Sequence, residues 1–306
     1  MFGAAQPAYS QDYPVKPIRM VASESGGAGD IAARIITQRI SSPLGHQVIV
    51  DNHGGGVIPA QTAARAQPDG YTVLFHGSGL WLLPFMRDSV PWDPLRDFAP
   101  ITLAITSPNL LVVHPSLPVH SVQELIALAK ARPGELNDGG GQTGSSTHLT
   151  SELFKAMAGV NIVRIPYKGV GPALTALAGG EVQLSFTNPG AAAAHVKSGR
   201  IRALAVTSAK PSAVMPGMPT IAASGLPGYE AVSIFGVFAP AGTPAAIIQR
   251  LNMEMVRALT SADIREKFLS SGVETVGSSP GELAATVKAE MARMGKVIKD
   301  RGIRDQ

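Results

Sequence analysis

Short apolar strands alternate with helical patterns over the first quarter of the chain, and this alternation limits the possible folds more than any other feature. The pattern predicts a strand, a helix, a strand, a helix and a strand at 18–22, 31–40, 48–50, 59–66 and 71–75. One face of the first helix is predicted to carry the isoleucines Ile31, Ile35, Ile36 and Ile40. Because a βαβαβ order implies a parallel sheet covered by helices on both faces, we expect an α/β fold.

A second series of strands and helices follows a loop-rich stretch at 77–100. Its strands are predicted at 109–113, 162–165, 182–186 and 201–206, and a last long strand at 232–239 precedes two amphipathic helices. We therefore expect two lobes, each a mainly parallel sheet flanked by helices: 12–108 with 233–306, and 109–232. A cleft between two such lobes is a common place for a small-molecule site, and hinge closure is its usual motion.

The composition excludes several classes of function. The 306 residues contain no cysteine, which removes thiol catalysis, disulfides and cysteine-zinc sites. The net charge is +4 and the basic residues are scattered, unlike the clustered cations of a nucleic-acid groove. No apolar run approaches the roughly 18 residues of a transmembrane helix, so we do not expect the chain to be embedded in a membrane. No two histidines have helical metal-binding spacing, and neither metal nor cofactor is predicted.

Three loops rich in Gly, Ser and Thr stand between a predicted strand and a predicted helix, at 25–30, 139–146 and 187–190. A helix N-terminus has unpaired N–H groups and a partial positive charge, so it attracts anions. Each loop alone also fits an ordinary connection in which glycine permits a tight turn. Three such helix ends in one α/β chain together predict a site for a small carboxylate or phosphate.

Three stretches resemble enzyme or nucleotide-binding motifs, but each lacks a group that the motif requires. The G-x-G-x-x-G sequence at 139–144 lacks the acidic residue that holds a ribose about twenty positions later in dinucleotide folds. Ser145 stands where a P-loop has its lysine. In the G-x-S-x-G sequence at 277–281, Pro280 follows the serine and has no N–H for an oxyanion hole. We expect Ser279 to cap the following helix in a capping box instead.

Three residues beside the loops have more than one possible role. His148 lies in the first turn of the second helix and could bond a ligand, but packing beneath the loop is the favoured interpretation. Asp30 would repel an anion, so it is expected to accept N–H bonds from the first loop. Trp81 follows a strand end beside Ser78 and Gly79. Local packing is the more common role for such a tryptophan, and a wall of the cleft is the alternative.

Residues 1–11 resemble the end of an export signal. Ala8 and Ser10 place small side chains at the two positions that signal peptidase reads, although the basic and apolar parts of a signal are missing. A natural unstructured N-terminus or a cloning scar is the alternative. This feature favours export.

A series of short motifs runs in order from about Tyr13 to Gly302. Among them are Gly26-Gly27-x-x-Asp30, Pro68-Asp69-Gly70-Tyr71, Gly144-Ser145-Ser146-Thr147-His148-Leu149, Pro166-Tyr167-Lys168-Gly169 and Phe238-Ala239-Pro240-Ala241-Gly242-Thr243-Pro244. In this order they resemble the Bug family, the substrate-binding proteins of tripartite tricarboxylate transporters. The resemblance implies a two-lobed, type II-like periplasmic binding protein that closes on a small carboxylate without chemistry. It also implies delivery to the membrane permease subunits of a transporter, and we expect a monomer.

The resemblance further implies which loops bind the ligand. Carried over by position, the binding residues are Ser25, Gly26, Gly27, Ala28, Asp30, Ser78, Gly79, Trp81, Thr143, Gly144, Ser145, Ser146, Tyr167, Lys168, Thr187 and Asn188. The chain departs from the family pattern before the first glycines, where residues 22–25 replace a Pro-Phe pair. Thr187 also stands where many members have an aspartate. Loss of that acid makes an amino group harder to recognise and a second carboxylate or a neutral end easier to accept.

Two other functions stay open. A hydrolase acting on a small carboxylate ester would need His148 as the base for Ser145 or Ser146, and no acid is evident to orient the histidine. A ligand-sensing subunit would instead present the bound state to a signalling partner. The ligand class is a mono- or dicarboxylate, aliphatic or aromatic, because Leu80 and Trp81 fit either.

Overall fold

The computed structural model describes residues 13–22, 28–53, 57–141 and 145–304. Within them the strands are β1 (Ile18–Ala22), β2 (Val48–Asn52), β3 (Thr72–Gly77), β4 (Phe98–Pro108), β5 (Leu110–Val113), β6 (Asn137–Gly140), β7 (Val163–Pro166), β8 (Leu184–Thr187), β9 (Arg202–Val206), β10 (Val232–Pro240) and β11 (Glu274–Thr275). The helices are α1 (Ala28–Leu44), α2 (Ile58–Ala64), α3 (Gly79–Met86), α4 (Val122–Ala131), α5 (Ser146–Ala158), α6 (Val170–Ala178), α7 (Pro189–Lys197), α8 (Ala245–Leu259), α9 (Ala262–Leu269) and α10 (Pro280–Asp300). The predicted export signal at 1–11 lies outside the described residues.

Two sheets flanked by helices confirm the predicted fold class. The larger sheet has the order β11-β4-β10-β3-β1-β2 and the smaller has the order β7-β6-β8-β5-β9. The prediction of mainly parallel sheets is corrected, because both sheets are mixed. β1 is parallel to β2 and β3, whereas β10 is antiparallel to β3 and β4. In the smaller sheet β6 is parallel to β7 and β8, whereas β5 is antiparallel to β8 and β9.

The chain passes from the larger sheet to the smaller between β4 and β5, and it returns between β9 and β10. These two passages explain the mixed sheets, since β10 enters the larger sheet in the direction opposite to β3. The predicted lobe limits of 108/109 and 232/233 stay a prediction. None of the described helices is long and apolar enough to cross a membrane.

Strand β1 is apolar and buried at every position except the exposed Arg19, and helices cover both faces of its sheet. Val21 packs on the face that meets α3, while Met20 packs on the face that meets α1 and α8. On α1 the prediction of four aligned isoleucines is wrong for one of them. Ile36 and Ile40 are buried, but Ile31 is 53% exposed. At about 100° per residue, Ile31 lies roughly 140° around the helix from Ile36.

One hydrophobic cluster joins the two sheets and contains Leu74 of β3 and Leu184 of β8. Helix α10 contributes to it and packs against α3, β4 and, from the second lobe, α5. The predicted capping box at its start is confirmed: Ser279 Oγ accepts from Glu282 N–H, and Glu282 Oε2 accepts from Ser279 N–H. This bridging helix brings its middle turns to the space between the lobes.

Candidate functional site

A cavity of about 260 Å³ opens between the lobes, with walls from β3, α3, α5, β10 and α10. Its described lining residues are His76, Gly77, Ser78, Gly79, Leu82, Met86, Ser146, Leu149, Thr150, Ala231, Val232, Ser233, Ile234, Phe235, Glu290, Arg293 and Met294. The volume lies just below the range of roughly 300–1,000 Å³ that is typical for drug-sized ligands. The cavity therefore suits a small solute.

The N-terminus of α3 forms one end of the cavity. The apolar strand β3 ends at Gly77, and Ser78 and Gly79 begin the helix directly afterwards. A Cβ at Gly77 would lie only 3.1 Å from the ring of Phe235, so glycine permits the close approach of that cavity wall. The start of α3, where the leading N–H groups of a helix have no partner within the helix, therefore lies where the cavity begins.

The N-terminus of α5 reaches the same cavity from the second lobe. Ser145 caps this helix, because its Oγ accepts a 3.3 Å bond from His148 N–H. Ser146 lines the cavity, and its Oγ accepts bonds from Asn109 Nδ2 at 3.1 Å and from Ser233 Oγ at 2.7 Å. With both bonds accepted, the Ser146 hydroxyl keeps its own proton for donation to a ligand.

Among the described residues of the cavity wall the acidic one is Glu290 of α10, which is only 6% exposed. Its Oε2 accepts a 2.6 Å bond from Trp81 Nε1, and its two oxygens lie 3.3 and 3.2 Å from Ser78 Oγ. Burial raises the pKa of Glu290 to about 7, against the lowering effect of these bonds and of Arg293. The carboxyl group can therefore gain or lose its proton near neutral pH.

Two other ionisable side chains line the cavity. His76 lies 3.0 Å from the Gly77 carbonyl through Nδ1, and a carbonyl only accepts, so Nδ1 carries the proton. Burial lowers the pKa of His76, which keeps the ring neutral. Arg293 Nη1 donates to Glu230 Oε2 at 3.0 Å. The cavity thus combines a neutral imidazole, a paired guanidinium and a titratable carboxyl group.

Trp81 lies in a helix and not in the predicted loop, and its position agrees with local packing and not with the alternative of a cleft wall. It lies within α3, is 0% exposed and is absent from the described lining residues. The apolar stretch after β3 forms a helix and packs in the core, which buries the indole. Trp81 meets the site through its bond to Glu290 rather than through open surface.

A buried polar cluster lies between β6 and α5. Asp138 of β6 is fully buried and accepts a 2.5 Å bond from Ser151 Oγ, and burial raises its pKa to about 6. Arg164 Nη2 donates at 2.5 Å to the carbonyl of Gly141, the residue that directly follows β6. His148 is buried beside this cluster, with Nε2 3.9 Å from Glu152 Oε1, and burial lowers its pKa to about 4. The position of His148 agrees with the packing interpretation.

The first and third loops are partly described. Asp30 is buried on α1, where Oδ1 accepts from Asn52 Nδ2 and pairs with Arg34 Nε, both at 2.9 Å. Thr187 ends β8 and is 0% exposed, and Asn188 caps α7 by accepting from Ala191 N–H at 2.8 Å.

The remaining predicted residues either do not line the described part of the cavity or lie outside the residues that the structure describes. Tyr167 is half-buried and Lys168 exposed, directly after β7. The residues outside the described part are Ser25, Gly26, Gly27, Thr143 and Gly144, and Ala28 is described only as the first residue of α1. Of the predicted set, the described cavity brings together Ser78, Gly79 and Ser146.

Sequence reasoning missed Glu290, although a signal was present. The buried stripe of α10 runs through Leu283, Val287, Met294 and Ile298. Glu290 occupies the intervening position of this stripe, three residues after Val287 and four before Met294. An acid on the apolar face of an amphipathic helix is a marker of a buried polar contact.

The hydrolase alternative receives no support from the serines. Ser145 Oγ caps α5, and Ser146 Oγ is bonded to Asn109 and Ser233. Within the described residues no group of three or more His, Asp or Glu is placed to hold a metal ion. The arrangement is that of helix ends and hydroxyl groups around a small cavity.

Comparison with known proteins places this geometry in a family. The sequence model of the protein family described as the tripartite tricarboxylate transporter family receptor matches residues 32–303 of this chain. BugT of Bordetella pertussis strain Tohama I is 37% identical over 98% of this chain and 94% of its own length. Rpa4515 of R. palustris, solved with adipate, is 40% identical over 96% of this chain and 99% of its own, with a TM-score of 0.78. MatC of Rhodopseudomonas palustris, solved with malate, is 28% identical over 94% of this chain and 100% of its own, with a TM-score of 0.74.

The match covers most of the chain and includes both lobes, and it agrees with the Bug resemblance of the motifs. The chain belongs to the tripartite tricarboxylate transporter receptor family.

Proposed function

We propose that this protein is a periplasmic receptor that captures a small organic carboxylate and delivers it to the membrane subunits of a tripartite tricarboxylate transporter. One observation carries the proposal: the same cavity between the lobes is lined by the starts of two helices, with Ser78 and Gly79 at the start of α3 and Ser146 at the start of α5. Helix N-termini attract anions, and here one comes from each lobe.

The energetics suit reversible capture. Hydrogen bonds to a charged group contribute about 1.5–3 kcal/mol each. After the costs of association are subtracted, three or four such bonds support a micromolar Kd, which corresponds to a binding free energy of about −8 kcal/mol. The related proteins solved with adipate and malate bind dicarboxylates of a size that fits a small cavity.

The mechanism is closure of one lobe on the other. We propose lobes of 12–108 with 233–306 and of 109–232, which hinge about the two passages between the sheets. A carboxylate in the cavity bonds to both lobes at once and therefore stabilises the closed form. The protein acts without catalysis, as a monomer that presents its closed form to the permease.

Calorimetry with a panel of adipate, malate, benzoate and the neutral adipamide tests the proposal. We expect saturable binding of at least one carboxylate, no binding of adipamide, and thermal stabilisation that follows the Kd. Ser78→Ala and Ser146→Ala should each weaken binding about tenfold or more. Ser198→Ala, an exposed serine at the end of α7, is the control and should bind normally. Stabilisation by nucleotides or sugars and by none of the acids would contradict the proposal.

A further inference from the structure

Ser78 and Glu290 form a hydroxyl–carboxyl pair inside the proposed ligand cavity. The two residues are 212 positions apart in the chain, and Ser78 Oγ lies 3.2–3.3 Å from both oxygens of Glu290. Trp81 Nε1 fixes the carboxyl group from the core side with its 2.6 Å bond. Helix α10 thus holds an acid against the helix end that is proposed to receive an anion.

The direction of the Ser78 hydroxyl depends on the proton of Glu290. An ionised carboxylate only accepts, so it takes the single hydroxyl proton of Ser78. Ser78 then offers only lone pairs to the cavity, and these repel a carboxylate ligand. A protonated Glu290 can donate to Ser78 Oγ instead, which frees the hydroxyl proton for the ligand.

We propose that Glu290 is a positioning residue that couples capture of the ligand carboxylate to the uptake of one proton, because protonation of Glu290 turns Ser78 from an acceptor into a donor. The inference rests on the proposed carboxylate function and names its regulation. It also explains how an anion is accepted beside a buried acid, since the neutral form removes the charge repulsion.

Other groups around Glu290 do not replace it in this role. Arg293 lies one turn away on the same helix and pairs with Glu230 from the segment before β10, and His76 of β3 is held neutral. The described lining residues of α3, α5 and β10 are not ionisable. The pKa of Glu290 near 7 places its protonation in the range where the carboxyl groups of the ligand remain charged.

Calorimetry at pH 6 and at pH 8, each in two buffers that titrate near that pH and differ in ionisation enthalpy, measures the protons taken up with adipate, malate and benzoate. We expect uptake approaching one proton per ligand at pH 8, with a Kd that rises about tenfold per pH unit above pH 7. Glu290→Gln keeps an acceptor for Trp81 and a donor for Ser78, so it mimics the protonated acid. It should bind at pH 8 as tightly as the unmodified protein binds at pH 6, without proton uptake.

Glu266→Gln, an exposed glutamate of α9, is the matched control and should retain the full pH dependence. Carboxylate binding without proton uptake in the unmodified protein would overturn the coupling and leave the proposed function standing. Tighter binding at pH 8, or preference for a ligand with an ammonium group, would show that Glu290 acts as an anion. Failure to bind any of the acids at either pH would overturn the proposed function itself.

Discussion

Replacing Trp81 by phenylalanine removes the indole donor from Glu290 and should destabilise the protein in a pH-dependent way. The lost bond is charge-assisted when Glu290 is ionised and neutral when it is protonated. A charge-assisted and a neutral hydrogen bond differ in free energy by on the order of 1.4 kcal/mol. Loss of the indole donor should therefore raise the pKa of Glu290 by about one unit. From a pKa of about 7, that rise costs about 1 kcal/mol at pH 8 and almost nothing at pH 5.

The sign follows from the raised pKa of Glu290. Burial raises it from 4.5 to about 7, so the folded state binds the proton more tightly than the unfolded chain. The stabilising contribution is complete below about pH 4.5 and is lost as the pH rises through about 7. In Trp81→Phe the pKa of Glu290 is higher still, so the loss of stability continues to a higher pH than in the unmodified protein.

Urea unfolding at pH 5 and pH 8 measures the effect, and the other tryptophan supplies the control. Trp92 is also buried, but its Nε1 donates to the neutral carbonyl of Leu80 at 2.8 Å. Trp92→Phe should therefore cost the same free energy of unfolding at both pH values. If Trp81→Phe lowers the free energy of unfolding equally at pH 5 and pH 8, the reasoning is refuted. It is also refuted if the effect of Trp81→Phe still depends on pH when Glu290 is replaced by glutamine.

Two further predictions concern the backbone. Gly70→Ala should destabilise by about 1–3 kcal/mol more than Gly45→Ala in urea unfolding. Both glycines have positive φ, of +81° and +73°, but only at Gly70 would a Cβ overlap Ile247; equal costs would contradict this. Asn188→Ala should cost about 1 kcal/mol because its side chain caps α7 through Ala191 N–H, whereas Asn188→Ser should retain most of the stability.

Several elements could not be predicted because their own residues do not favour them. β6 has the sequence Asn-Asp-Gly-Gly and exists through pairing with β7 and β8. α3 contains Pro84 and forms from a stretch that resembles a loop. In each case partners distant in the chain overrode weak local preference.

The sequence by itself determined the local features: the alternation of strands and helices, the glycine-rich helix starts, and caps such as that at Ser279. These depend on neighbours within a few positions, so their residue types are visible in one stretch of chain. Only the tertiary structure decided that Trp81 is core and that Glu290 meets Ser78 in the cavity. The burial of an acid and the identity of its partner come from helices more than 200 positions apart, and no local pattern specifies their meeting.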